Sequence, residues 1–134
     1  MAVRLAEEVE RHSLRDKIEL RKIIFGSGPH SLKMRQSFTE KLGLEASYDI
    51  AGMTEMYGPG TGLNCEVGDG IHYWADLFYL EITDPHTLQP VPAGEVGEMV
   101  VTSLFKEAVP LIRYRTQHVR RLTPKPSPSR PHLP

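Results

Sequence analysis

The stretch that decides the fold runs from residue 23 to residue 50: IIFGSGPHSLKMRQSFTEKLGLEASYDI. Its first three residues form an apolar run that is typical of a buried strand. Ser31 can then cap a helix that Gly43 can end, and EASYDI at the close suits a second strand. Strand–helix–strand order favours parallel pairing with a right-handed crossover, so the stretch predicts an α/β fold.

Two turns follow the two predicted strands, one over residues 26–30 and one over the glycine-rich residues 51–62. Ligands bind beyond the C-terminal ends of parallel strands, so we expect the two turns side by side at a binding edge. The second turn contains Thr54 and Glu55 but neither lysine nor arginine. A hydroxyl can donate to a phosphate oxygen, and a carboxylate can hold Mg²⁺. The ion would supply the positive charge that a phosphate needs and that the turn itself lacks. An ordinary turn is the alternative, and spacing alone leaves both open.

The remaining regions differ in texture. Residues 2–14 have the spacing of an amphipathic surface helix. From Gly70 onward, IHYW, LFYLEIT, EMVVTS and PLIRYRT are short alternating segments between turn residues, which predicts a small, mostly antiparallel β subdomain. The tail has five of the eleven prolines and is expected to be extended or disordered. The predicted organisation is an α/β portion at 1–69, a β subdomain at 70–122 and a proline-rich tail at 123–134.

The overall charge and the cysteine content exclude several classes of function. The chain carries 16 basic and 17 acidic residues among 134, so no net field would attract nucleic acid or an anionic membrane. No apolar run approaches the ~20 residues of a transmembrane helix, and the N-terminus lacks a signal-peptide pattern. A single cysteine, Cys65, excludes an internal disulfide framework. We expect a cytoplasmic protein without nucleic-acid or membrane partners.

Three further patterns are weaker indications of a binding site than Thr54 and Glu55 are. The glycine-rich turn lacks both the lysine of a P-loop and the following helix of a dinucleotide-binding motif. Arg113 and Arg115 lie near a predicted strand end, where guanidinium groups can meet phosphate or ribose oxygens, although a strand with solvated arginines is the commoner arrangement. Cys65 and His72 could ligate zinc, but two ligands do not make a site. A buried cysteine and a surface histidine are the alternative.

Five segments of the chain follow one another in order over roughly residues 18–122. They are IIFGSGP, MRQSFTEKLGLEASYDIAGMTEMYGPG, GIHYWADLFYLEITDP, PVPAGEVGEMVVTSLFKEAVPLIRYRT and RRL. Together they resemble the phenylacetate–coenzyme A ligase family of the adenylate-forming acyl-CoA synthetase superfamily. The resemblance implies a two-step reaction, in which ATP and an aryl acetate give an acyl-adenylate and pyrophosphate. Coenzyme A then takes the acyl group as a thioester.

The resemblance also implies roles for single residues. DIAGMTE looks like the superfamily's nucleotide loop, in which Thr54 contacts phosphate and Glu55 binds magnesium as the catalytic residues. FGSGP looks like the neighbouring wall for adenine and the acyl group, and Arg115 and Thr116 fall in the ribose motif. The implied cofactors are ATP or AMP, Mg²⁺ and coenzyme A, with an aryl acid as substrate. The implied nucleotide-binding residues are Ser27, Gly28, Pro29, Asp49, Ile50, Ala51, Gly52, Met53, Thr54, Arg115 and His118.

The chain departs from the pattern of the family at three places. Ala51 stands where the family usually has an aromatic residue stacked on adenine, which leaves that face open. Residues 27–30 replace Ala-Glu-Pro-Trp, which alters the acyl pocket. His118 stands where an aspartate holds both ribose hydroxyls, and imidazole cannot make that bidentate contact.

The resemblance extends to a degenerate zinc site. Some family members carry Cys-Pro-Cys after the ribose strand, where this chain has Ser127 and Ser129. Cys65 and His72 would be the other half of the ligand set. Serine is a poor zinc ligand at neutral pH, so at most a degenerate site is expected.

Two parts of the superfamily find no match in the chain. They are the upstream phosphate loop, rich in serine, threonine and glycine, and the downstream mobile domain with its adenylation lysine. The sequence therefore predicts a central fragment of a ligase, inactive in isolation. A non-catalytic nucleotide-binding or partner-docking remnant is the alternative. An unpaired sheet edge would favour self-association or a complementary fragment.

Overall fold

The computed structural model describes residues 1–26, 31–65 and 70–123. In these ranges the strands form a four-stranded sheet of order β1-β2-β3-β4 and a three-stranded sheet of order β5-β6-β7. The predicted α/β class is confirmed, with a separate antiparallel sheet in the second half. The elements are α1 (Ala2–Arg11), a 3₁₀ helix (Arg15–Lys17), β1 (Lys22–Phe25), α2 (Leu32–Leu42), β2 (Ala46–Met53), β3 (Gly58–Asn64), β4 (Ile71–Tyr73), β5 (Phe78–Thr83), β6 (Val96–Ser103) and β7 (Tyr114–Arg121).

Helix α2 has both predicted end signals. The Ser31 hydroxyl accepts a hydrogen bond of 3.1 Å from the Met34 amide, and Gly43 ends the helix in the left-handed conformation at φ 66°. Helix α1 stops at Arg11, three residues before its predicted end. Neither α-helix in the described ranges is long and apolar enough to cross a bilayer. The helices pack on each other through a small core of Ala6, Val9, Phe38 and Leu42.

Strands β1 and β2 pair in parallel, with Lys22 opposite Ala46 and Phe25 opposite Asp49, as the element order predicted. The expectation of a buried strand at β1 was wrong in one respect. Ile24 is 63% exposed, because only the alternate residues Ile23 and Phe25 pack against the helical core. The strand therefore has one partly buried face and one exposed face.

The predicted loop over residues 51–62 is mostly a β-hairpin. Strand β2 continues to Met53, a turn occupies residues 54–57, and β3 begins at Gly58. The strands approach so closely that a Cβ on Gly52 would lie 2.1 Å from the Gly58 carbonyl oxygen. The glycines therefore permit close pairing. The register slips between Ala51–Gly62 and Gly52–Pro59, which leaves two residues of β3 in a bulge.

The second sheet differs from its prediction at one strand. PLIRYRT was expected to be a strand, but β7 starts only at Tyr114 and runs on to Arg121. Arg113, the residue before it, has a positive φ of 47°, which interrupts an extended chain. Strand β4 pairs with β3 and so belongs to the first sheet, beyond the predicted boundary at residue 69. The division into 1–69, 70–122 and a tail stays a prediction.

A buried side chain joins the hairpin turn to the second sheet. Met56 is fully buried and belongs to the core beneath β5 and β6. Because this side chain leaves the middle of the turn, the end of β2 is fixed by packing on the second sheet. The other buried members of this core are Phe78, Ile82, Met99, Val101 and Leu111.

Candidate functional site

Thr54 and Glu55 lie in the turn between β2 and β3, and both side chains are exposed. The Met53 carbonyl oxygen closes the turn by accepting hydrogen bonds from the amides of Met56 at 3.0 Å and Tyr57 at 3.2 Å. A turn is the simpler of the two readings that the sequence left open. The exposed hydroxyl and carboxylate nevertheless keep the chemistry that a phosphate and a magnesium ion require.

The turn is held from the second sheet on two sides. Met56 is inserted into the core, and the Tyr57 ring lies 5.3 Å from the Phe105 ring. Phe105 in turn meets Phe78 of β5 edge-on at 5.8 Å. Both contacts follow Glu55 in the chain, so they fix the backbone that carries the carboxylate while the carboxylate itself stays in solvent.

The predicted nucleotide stretch before the turn is a strand. Asp49, Ile50, Ala51, Gly52 and Met53 lie on β2, and Thr54 follows at its end. The Asp49 amide donates to the Asn64 side-chain oxygen at 2.7 Å, and the Ala51 carbonyl accepts from the Thr61 hydroxyl at 3.2 Å. These bonds hold β2 against β3, so Thr54 follows a strand whose end is fixed.

The turn after β1 is described only as far as Gly26. A Cβ on Gly26 would lie 2.6 Å from the Ile50 carbonyl oxygen, so the chain leaves β1 directly against β2. This contact agrees with the expected juxtaposition of the two strand ends. The other predicted wall residues lie outside the described ranges: Ser27, Gly28, Pro29 and His30.

Arg115 is bound within the second sheet. Its Nε and Nη2 donate to Glu98 Oε2 at 2.9 and 2.5 Å, and Nη2 also donates to the Pro85 carbonyl at 3.1 Å. Glu98 is only 4% exposed. The guanidinium, together with the Gln117 amide, holds the pKa of the Glu98 carboxyl below its ordinary value despite burial. The ion pair therefore ties β7 to β6.

The residues of the predicted ribose motif have separate contacts within the described part of the chain. Arg115 and Gln117 line an open cavity of about 470 Å³, but His118 is not among its lining residues. The buried Thr116 hydroxyl donates to the Met99 carbonyl at 2.7 Å and accepts from the His118 amide at 3.2 Å. Gln117 has a positive φ of 58°, so the strand is irregular where the motif lies.

Cys65 lies just after one strand and His72 lies on the neighbouring strand. Cys65 follows the last residue of β3, and His72 lies opposite Leu63 on β4. Each has an interaction of its own within the protein. Across residues 1–26, 31–65 and 70–123, no three His, Cys, Asp or Glu side chains cluster closely enough to hold a metal. Ser127 and Ser129 lie outside these ranges, so the degenerate zinc site stays a prediction.

Sequence reasoning missed two charged residues. Lys106 donates from Nζ to the Glu55 carbonyl oxygen at 2.7 Å, across 51 positions of sequence. Glu98 holds Arg115, 17 positions away. For Glu98 the strand pattern EMVVTS offered a signal, because a charged residue at the start of an apolar strand needs a partner when buried. No local pattern marks Lys106.

Comparison with known proteins gives the class and then the family. No protein-family model matches the chain. A crystal structure of an open conformation of 2-hydroxyisobutyryl-CoA ligase, in complex with 2-HIB-AMP and CoA, superposes with a TM-score of 0.79 at 27% identity. The superposition covers 91% of this chain and 29% of that one. The fold is therefore that of part of a CoA ligase.

Two curated relatives narrow the class. A phenylacetate-coenzyme A ligase of Pseudomonas putida is 45% identical over 122 residues, and one of Escherichia coli K12 is 44% identical over 123. Each match covers 90% of this chain and 28% of the relative, so the chain spans little more than a quarter of their length. The recognition made from the sequence is confirmed: over nine-tenths of its length the chain is similar to part of a phenylacetate-coenzyme A ligase.

Proposed function

We propose that this chain is the nucleotide-binding part of an aryl-acid CoA ligase and that the turn at Thr54 and Glu55 binds the phosphates. The observation that carries the proposal is the turn itself, exposed at the end of β2 and anchored from beneath by Met56. The structure of the 2-hydroxyisobutyryl-CoA ligase, solved with an acyl-AMP and CoA, supports this ligand class.

In the proposed reaction a carboxylate oxygen of the aryl acid attacks the α-phosphorus of ATP and pyrophosphate leaves. The thiol sulfur of coenzyme A then attacks the acyl carbonyl, AMP leaves, and the thiol proton is released. The Thr54 hydroxyl donates to a phosphate oxygen and holds the phosphate in line with the attacking carboxylate. This positioning requires a fixed turn, which the Met53 and Met56 contacts supply.

Glu55 fits the role of a magnesium ligand. Magnesium is commonly held by one or two carboxylates together with substrate phosphates and water, so a larger acidic cluster is not needed. The Glu55 side chain is exposed, so its carboxylate is open to an ion from solvent. When bound, the ion would neutralise phosphate charge. Glu55 would hold the ion, and Thr54 beside it would donate to a phosphate oxygen.

Arg115 is proposed to contact the ribose from the second sheet. Its Nε and Nη2 are engaged by Glu98 and Pro85, and a guanidinium has five donors, so Nη1 keeps two for a ligand. His118 offers a single exposed imidazole in place of a carboxylate. The ribose contact is therefore expected to be weaker than a bidentate one. Adenine would lie against the methyl group of Ala51, which offers no aromatic ring for stacking.

The experiment is a calorimetric titration of ATP with magnesium into the full chain and into Glu55→Gln. The variant is expected to lose magnesium-dependent affinity while its thermal unfolding stays unchanged, since the side chain is exposed. Glu95→Gln, another exposed carboxylate, is the matched control. Equal magnesium-dependent binding by Glu55→Gln and the parent chain would remove the assignment.

A second candidate is nucleotide binding without catalysis, which His118 favours because an imidazole cannot make the bidentate ribose contact of a carboxylate. We expect the chain alone, given ATP, magnesium, phenylacetate and coenzyme A, to form neither AMP nor thioester. Adenylation requires neutralisation of the phosphate charge and a site that closes around the substrates. The exposed turn of this chain does not enclose a substrate. Sustained turnover by this chain would refute the non-catalytic alternative. If turnover is seen, sedimentation with and without ATP would show whether the active species is a single chain, a self-associated form or a complex with a complementary fragment.

A further inference from the structure

The connection between β6 and β7 reaches across to the hairpin turn. It leaves β6 after Ser103 and carries Lys106, whose half-buried side chain donates from Nζ to the Glu55 carbonyl oxygen at 2.7 Å. A lysine from the second sheet thus contacts the backbone of the residue that carries the proposed magnesium ligand.

The backbone on either side of Lys106 is held in place. The Leu104 amide donates to the Leu77 carbonyl at 2.9 Å, and the Ser103 amide donates to the Leu111 carbonyl at 2.9 Å. Phe105 packs between the Tyr57 and Phe78 rings. Because its neighbours are fixed, the ammonium loses less freedom on binding a ligand than a lysine on a mobile loop would.

The charge around the turn makes this position informative. Residues 49–62 contain two carboxylates and no lysine or arginine, although phosphate is the proposed ligand. Lys106 brings a cation to this segment from 51 positions away. Within the described ranges it makes no ion pair, so its charge is not neutralised by a carboxylate. An ammonium has three donors, and the Glu55 carbonyl uses one of them.

We propose that Lys106 is a phosphate-binding residue of the nucleotide site, which donates to a phosphate oxygen beside Thr54 while another of its donors holds the Glu55 carbonyl. The inference rests on the proposed function, because it assumes a nucleotide phosphate at the turn. It adds a cation from the second half of the chain to the phosphate-binding turn, which belongs to the first sheet. The residue binds substrate rather than stabilising the fold alone.

The test compares AMP with adenosine, which differ by the phosphate. Both are titrated into the parent chain, Lys106→Gln, Lys106→Arg and the control Lys17→Gln, at fixed magnesium and low salt. Lys17 is an exposed lysine of the 3₁₀ helix. Lys106→Gln is expected to weaken AMP binding about 10-fold or more, the order expected of one hydrogen bond to a charged group. Adenosine binding should not change, and Lys106→Arg should retain most of the AMP affinity.

Each outcome separates a different cause. If Lys106→Gln weakens AMP and adenosine equally, the lysine only positions the turn and the inference is wrong. If it weakens neither, or if Lys17→Gln has the same effect, the inference is also wrong. If the parent chain still binds AMP in these cases, the proposed function is unaffected and only the role of Lys106 is wrong. If the parent chain binds neither AMP nor adenosine at millimolar concentration, the proposed function fails and the role of Lys106 fails with it.

Discussion

Gly52→Ala is the most direct perturbation of the hairpin that carries the proposed site. The added Cβ would lie 2.1 Å from the Gly58 carbonyl oxygen and 2.7 Å from the Pro59 Cα, both backbone atoms of the paired strand. Real Cβ atoms essentially never come closer than 3.0 Å, so β3 must move by at least 0.9 Å, the difference between 2.1 and 3.0 Å. We expect the substitution to lower the free energy of unfolding by about 3 kcal/mol, which is at the upper end of the usual cost of overpacking.

The assay is thermal and urea unfolding, with amide NMR shifts at the turn as a local reading. For a chain of this size 3 kcal/mol corresponds to a fall in Tm of about 12 °C. Gly58→Ala is the matched control, because no atom lies within 4 Å of its added Cβ and only its positive φ of 86° is disturbed. That change should cost about 1–2 kcal/mol. A Gly52→Ala protein as stable as Gly58→Ala would refute the close-approach explanation.

Further predictions concern the packing, the ion pair and the metal. Met56→Ala should lower the free energy of unfolding by about 2–5 kcal/mol in urea titrations, because the side chain is fully buried. Arg115 lowers the pKa of Glu98 from the ordinary 4.5, so this stabilisation is present above about pH 4.5 and is lost as the pH falls through the native value. Glu98→Gln should therefore flatten the acid limb of a stability profile measured from pH 3 to 7, and an unchanged limb would contradict the ion pair. Stoichiometric zinc retained after dialysis against a mild chelator would show that the expectation of a degenerate site at Cys65 and His72 is wrong.

The parts of the fold that local chemistry determines could be predicted from the sequence. Ser31 and Gly43 marked the ends of α2 because a hydroxyl cap and a left-handed glycine act within one helical turn. The parallel pairing of β1 with β2 followed from element order alone, since a helix between two strands brings them back side by side. These features depend on residues that are close together in the chain.

The misplaced elements depend on contacts that are distant in sequence. Glycines at 52, 58, 60 and 62 suit either a loop or two closely paired strands, and only the partner strand decides between them. The start of β7 was misplaced because Arg113, a residue with no turn signal, adopts a positive φ while its amide bonds the Thr102 hydroxyl. Lys106 meets Glu55 only because both sheets share the Met56 core.

Strand β6 supports both halves of the proposed site. Met99 shares a buried core with Met56, which fixes the Thr54–Glu55 turn, and its carbonyl accepts the hydrogen bond of Thr116 in the predicted ribose motif. Glu98, one residue earlier, holds Arg115. The connection that follows β6 carries Lys106 to the turn. Phosphate and ribose contacts that lie on different sheets can act on one nucleotide only if their separation is constant. The buried residues of β6 keep it so, because a packed strand has a single low-energy position.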